Sequence, residues 1–131
     1  MNMIEKLFAL RGSPPFAQLR DSELVLIAAA ARPRTYLPGE LIGLPGRPLR
    51  HLFVVVEGSA VTAAGTELPK AFGAVSLLFG SPLEEPVRAG PAGVTCLLVR
   101  RAHFHTILNE CPGFVVGLLR GDKDGEPARA A

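Results

Sequence analysis

Tryptophan is absent from these 131 residues and tyrosine occurs once. A platform for stacking RNA bases needs several exposed rings, so none is expected. The two cysteines, Cys96 and Cys111, form no CxxC pair and are too few for a disulfide scaffold. They read as reduced thiols in or near the core of a cytoplasmic protein. An excess of charge of one sign is also missing, since the net charge is +2. The arginine pairs Arg32/Arg34 and Arg100/Arg101 stand at expected element ends and form no stripe, so they read as solvated boundaries. No nucleic-acid partner is expected. The longest apolar run, Leu24 to Ala31, falls far short of the roughly 20 residues of a membrane span. "MNMIEKLFALRG" has an early acid and no long apolar stretch, so it does not read as a signal peptide and no membrane contact is expected.

Catalytic patterns are missing too. No serine sits in a Gly-x-Ser-x-Gly elbow. His103 and His105 are two residues apart on an expected helix, which points them to different faces, and His51 is distant in sequence. They read as surface or packing histidines, and no bound metal is expected. The chain is not expected to be an enzyme.

About half of the chain is apolar, at 48%. A chain of this length forms one domain and can bury roughly two thirds of its unfolded surface. Twelve prolines and fourteen glycines are spread along it and punctuate many short elements. Residues 3–32 read as helical. In "MIEKLFAL", Ile4, Leu7 and Phe8 share a face at i, i+3, i+4. "LRDSELVLIAAAAR" reads as a second helix, capped by Asp21 or Ser22, with Glu23 in its first turn, Arg32 near its end and Pro33 stopping it. Residues 34–99 read as strands and turns. Two Pro-Gly pairs mark turns in "RTYLPGELIGLPG". "HLFVVVEG" is the clearest strand, apolar on both faces, with Gly58 expected to turn the chain into "SAVTA". "AAGTE" is an expected hairpin tip and "GAVSLLFG" about one helical turn. "PVRAG" and "VTCLLV" read as two strands split by a turn at Gly90-Pro91. Residues 101–120 read as closing helices and residues 121–131 as a flexible polar tail. Helices around a block of short strands predict a mainly β fold, a sandwich or jelly roll with flanking helices.

That order resembles the cyclic nucleotide-binding domain. This is the β-roll sensor of catabolite-activator-type regulators, cyclic-nucleotide-dependent kinases and gated channels. The residues that carry the likeness are Pro38-Gly39-Glu40, the turn glycines Gly46 and Gly58 in "GRPLRHLFVVVEGSAVT", "FGAVSLL", and the closing "PVRAGPAGVTCLLVRRAHFHTILNECPGFVVGLL". The likeness covers roughly Ile4 to Leu119 and implies the family's double-stranded β-roll.

The family's phosphate-binding cassette carries Phe-Gly-Glu and, later, Pro-Arg-Ser-Ala. The resemblance implies that the Glu holds a ribose hydroxyl. The Arg, with helix-start amides, holds the cyclic phosphate. Here the cassette positions are Phe72, Gly73, Ala74, Val75, Ser76, Pro82, Leu83 and Glu84. Ala74 stands at the Glu position and Leu83 at the Arg position, and Glu84 and Glu85 follow. One of these two acids is expected to face the pocket, where it would repel an anion. A lost charge-assisted hydrogen bond is worth roughly 1.5–3 kcal/mol. Losing both contacts should weaken binding by about two to four decades. Only Ser59 to Ala71 separates Gly58 from Phe72, shorter than the family's usual hairpin, and Pro69 stands where a cassette glycine is common.

The resemblance therefore implies a stand-alone regulatory and interaction module with a degenerate cassette. It implies lost or much weakened cyclic nucleotide binding and action through a protein partner or a homodimer. Phe114, Val115, Leu118 and Leu119 are candidate interface residues, read also as core filling. The DNA-binding helix-turn-helix of some relatives is not expected after them. No cofactor is expected, and cyclic AMP or cyclic GMP is disfavoured. The alternative is a sensor of a small molecule or cyclic nucleotide through non-standard pocket contacts, with Leu83, Glu84 and Glu85 favouring an apolar or cationic ligand.

Overall fold

One long antiparallel pairing organises the molecule. Strands β3 (His51–Val61) and β5 (Val87–Arg100) run side by side along nearly their full lengths. Around them lie β1 (Arg32–Tyr36) and β2 (Leu41–Gly43), both paired with β5, and β4 (Ala71–Phe72), paired with β3. Helices α1 (Met3–Arg11) and α2 (Asp21–Ala30) precede the sheet, with a 3-10 turn at Pro14–Phe16 between them. Helix α3 (Ala74–Phe79) follows β4, and α4 (Arg101–Glu110) follows β5. The structure, a computed structural model, describes residues 1–114 and Leu118. The expected tail, 121–131, lies outside the described residues.

Alternation along the central pair creates two cores. Leu52 and Val54, opposite Val99 and Leu97, face the helices. Phe53 and Val55, opposite Leu98 and Cys96, face the inside of the roll. The helix-side core adds Leu10, Phe16, Leu24, Ile27, Phe104 and Ile107. Phe114 and Leu118 belong to it as well, with Phe114 tilted against Phe16 at 5.3 Å between centroids. These two candidate interface residues are buried packing: Phe114 meets Phe16 and Phe104, and Leu118 is 3% exposed. Val115 and Leu119 lie outside the described residues.

The sheet is more continuous than its glycines suggest. Gly58 does not turn the chain. It sits inside β3 with φ +79, and a Cβ there would lie 2.2 Å from the Gly93 carbonyl oxygen. Gly90-Pro91 does not split the later segment, because β5 runs through it. Residues 90–93 instead stand opposite Ser59 alone, as a bulge where β5 changes partner from β2 to β1. Gly39 (φ +75) follows Pro38 in the Leu37–Glu40 turn, and the Glu40 N–H donates to the Leu37 carbonyl at 2.9 Å.

The opening helices depart from expectation in register. Asp21 and Ser22 do not cap α2. The N-cap is Arg20, whose N–H donates to Glu23 Oε1 at 2.9 Å, while Asp21 pairs with Arg11. Arg32 opens β1, and its guanidinium still donates to the carbonyls of Ala29 and Ala31 at the end of α2. In α1 the apolar face is divided: Ile4 is 65% exposed and Phe8 76%, while Leu7 is half-buried against the helix-side core. Leu10 and Lys6 are buried instead. Lys6 Nζ donates to the Ala31 carbonyl at 2.8 Å and reaches that of Ala28 at 3.5 Å. The last carbonyls of a helix lack intrahelical donors and carry partial negative charge. The ammonium satisfies them, which sets how α1 rolls against α2.

Lys6→Met should therefore cost about 1–3 kcal/mol, the penalty for stranding buried acceptors. Phe8→Ser should stay within about 0.5 kcal/mol, as for a solvent-facing site. Urea unfolding of both variants measures the contrast.

Both cysteines are free and buried. Burial pushes the Cys96 thiol up to about 12 from 9.0. A group that holds its proton more tightly when folded favours the folded state fully below its unfolded pKa. That contribution should fade as pH rises from 9 toward 12. Cys96→Ala should flatten this part of the stability profile, and native Cys96 should resist thiol reagents at pH 8.

Candidate functional site

The cassette begins where β4 delivers the chain into α3. Phe72 is buried and stacked on Phe53, with centroids 4.8 Å apart and planes 4° apart. Gly73 caps α3 with φ +103, and a Cβ there would lie 2.3 Å from the His51 carbonyl oxygen. Strand β3 thus passes so close that only glycine fits without a backbone shift. The Leu77 N–H donates to the Gly73 carbonyl, and Ser76 Oγ donates to the Ser81 carbonyl at 2.9 Å. Ser76 is thereby committed to tying the helix to the loop after it. Ala74 is buried and Val75 half-buried.

Beyond Gly80 the chain returns to the roll. Pro82 is exposed, Leu83 is 3% exposed, and Glu84 points to solvent. Leu83 is held by backbone and side chain together. Its N–H donates to the Arg47 carbonyl at 3.0 Å, and its carbonyl accepts from the Gly46 N–H at 2.8 Å. Its side chain packs in the roll-side core with Leu49 and Val87. A Cβ built on Gly43 would lie 2.5 Å from Leu83 Cδ1 and 2.8 Å from Leu49 Cδ2. Leu68, from the short hairpin, joins the same cluster. Glu85 does not enter the roll. Its Oε1 accepts the Ala63 N–H at 3.0 Å and ties the cassette's end to the hairpin tip.

The candidate residues are thus divided. Phe72 and Leu83 belong to the roll-side core, whereas Ala74 and Leu77 belong to the helix-side core. Ala74 and Leu83, at the two ligand-holding positions of the resemblance, do not line one shared space. Among the described residues no group of three or more His, Cys, Asp or Glu is placed to hold a metal. No described helix is long and apolar enough to cross a membrane.

Two concave surfaces escaped sequence reading. One, ≈ 400 Å³, lies between α1 and α2 and is lined by Ile4, Leu7, Phe8, Leu24 and Val25, with Arg11 and Asp21. The other, ≈ 250 Å³, lies where β1, the segment after β2 and the start of β3 meet, around Tyr36, Leu49, His51 and Phe53. Single residues of the second were visible in sequence, but its members are spread from Arg34 to Phe53 and nothing in their spacing brings them together.

No family model matches this chain, and no curated protein does either. Solved structures do. A cAMP-bound protein kinase A regulatory subunit, PfPKA-R, superposes with a TM-score of 0.77 at 20% identity, over 93% of this chain and 44% of the other. The regulatory subunit of a cAMP-independent protein kinase A from Trypanosoma brucei gives 0.75 at 21%, over 93% and 49%. The N-terminal domain of a transcriptional regulator from Streptomyces coelicolor gives 0.66 at 26%, over 86% of each chain. The chain therefore spans less than half of either kinase subunit structure. It has the cyclic nucleotide-binding domain fold, a mainly antiparallel β-roll with flanking helices.

Leu83→Ala should cost about 2–5 kcal/mol, because it opens a cavity where Leu49, Val87 and Gly43 converge. Leu83→Arg should also lower the melting temperature, because a buried unpaired guanidinium replaces an apolar plug. Thermal unfolding of the two variants tests both. A melting temperature unchanged in either would show that the position is not packed as described.

Proposed function

We propose that this chain is a non-enzymatic, cytoplasmic regulatory module in which the cyclic nucleotide-binding fold survives while its cassette no longer holds a cyclic nucleotide. It acts through protein contacts. The observation that carries this reading is Leu83, a buried apolar side chain at the position where the resemblance implies a phosphate-holding arginine. A guanidinium there would supply paired charge-assisted donors, and leucine supplies none. Ala74 likewise has no polar group for a ribose hydroxyl and faces the other core. Action through protein contacts is supported by the outward apolar face of α1 and α2, where Ile4, Phe8 and Val25 stand exposed. Apolar side chains gathered on one open surface are more costly to leave in water than the same residues scattered singly.

Calorimetric titration of the purified chain with cyclic AMP and cyclic GMP, at low and moderate salt, tests the proposal. The expected result is no saturable heat up to millimolar ligand. Micromolar binding of either nucleotide would overturn it.

A further inference from the structure

The ≈ 250 Å³ groove beside the start of β3 has a charge pattern that packing does not require. Its floor is apolar, built from Leu49, Phe53 and Tyr36, which are buried in the roll-side core. Arg34, Arg47 and Arg50 line it together with His51, all three arginines exposed, and no carboxylate lines it. Among the described residues, ion pairs engage Arg11 and Arg20, and none engages a rim arginine. The Arg34 guanidinium lies over the Tyr36 ring, 4.6 Å from its centroid, which fixes its position and leaves its N–H groups free of carboxylate partners. Three like charges brought to one concavity repel one another, and a bound anion relieves that repulsion.

Two further observations support an anion site. The rim is held in place from beneath: the Gly46 N–H donates to the Leu83 carbonyl, and the Arg47 carbonyl accepts from Leu83. These bonds fix the backbone from which Arg47 projects, and a fixed backbone has less freedom to lose on binding. The field is also felt by its neighbour. His51 is pushed below its ordinary value by burial and then by Arg34, Arg100 and Arg50. None of the cassette positions Phe72–Ser76 or Pro82–Glu84 lines this groove.

The geometry points to a binding site for a small phosphate monoester with an apolar body, its phosphate held by Arg34, Arg47 and Arg50 and its body resting on the floor at Leu49, Phe53 and Tyr36. A dianionic phosphate matches guanidinium forks better than a singly charged cyclic phosphodiester does. The site goes beyond the proposed loss of cyclic nucleotide binding and does not depend on it.

The test uses the full chain at low salt, with phenyl phosphate and inorganic phosphate as probes and amide chemical shifts as the readout. Saturable shifts confined to residues around 34–36 and 42–53 are expected with phenyl phosphate, and raised salt should weaken them. Arg34→Gln and Arg47→Gln, both at exposed positions, should each weaken binding about tenfold or more with the fold intact. Arg88→Gln, at an exposed position that does not line the groove, should not. No binding at millimolar phenyl phosphate, or equal loss in all three variants, would overturn the site. Inorganic phosphate binding as tightly as phenyl phosphate would overturn the assigned ligand class by removing any role for the floor. Binding only by a phosphorylated peptide would overturn it in favour of a protein partner. Shifts confined to residues 72–76 would instead bear on the cassette, so failure of this inference is distinct from failure of the proposed function.

Discussion

Everything in this molecule is arranged around the ladder between β3 and β5. It divides the apolar residues into two cores by alternation alone, and it spaces the roll by letting two backbones touch. Gly58 and Gly93 meet so closely that a Cβ on the first would overlap the carbonyl of the second. Both glycines have positive φ, which lets each strand bulge without ending. The bulge at residues 90–93 frees β5 to pair first with β2 and then with β1. That switch of partner curls the sheet into a roll. A side chain at Gly58 would separate the strands and loosen both cores together.

A second consequence of the same ladder is the position of the cassette. Strand β4 pairs with Phe53 and Val54 and so brings Gly73 against the His51 carbonyl. The loop that leaves α3 must then return to the roll, and Leu83 drops among Leu49, Val87 and Gly43. An apolar side chain is stabilised there by the area it removes from water, at about 25 cal/mol per Å². An arginine would be stabilised only by an anion. The glycines here answer to the backbone, whereas the side chain at 83 answers to the apolar space it fills.

Much of the architecture was legible because it rests on local chemistry. Pro38-Gly39 marks its turn through a fixed proline φ and a glycine at positive φ. "HLFVVVEG" announces a strand covered on both faces, and it is one. Legibility failed where two segments distant in sequence had to agree. The spacing of Ile4, Leu7 and Phe8 identifies a helix, but the face that packs was chosen by the carbonyls of Ala28 and Ala31, which needed Lys6. Glycine and proline at 90–91 read as a turn because a bulge inside a long strand uses the same residues.

The sequence by itself determined the order of elements, the family resemblance and the apolar identities of Ala74 and Leu83, because each depends on residues close in the chain or on residue type alone. Only the tertiary structure decided that Leu83 is a plug, that Ala74 faces the other core, and that Phe114 and Leu118 are packing. It alone gathered Arg34, Arg47, Arg50 and His51 around one groove. The physical reason is the same in each case. Burial and local field are properties of the space between elements, and that space exists only once strands far apart in sequence have paired.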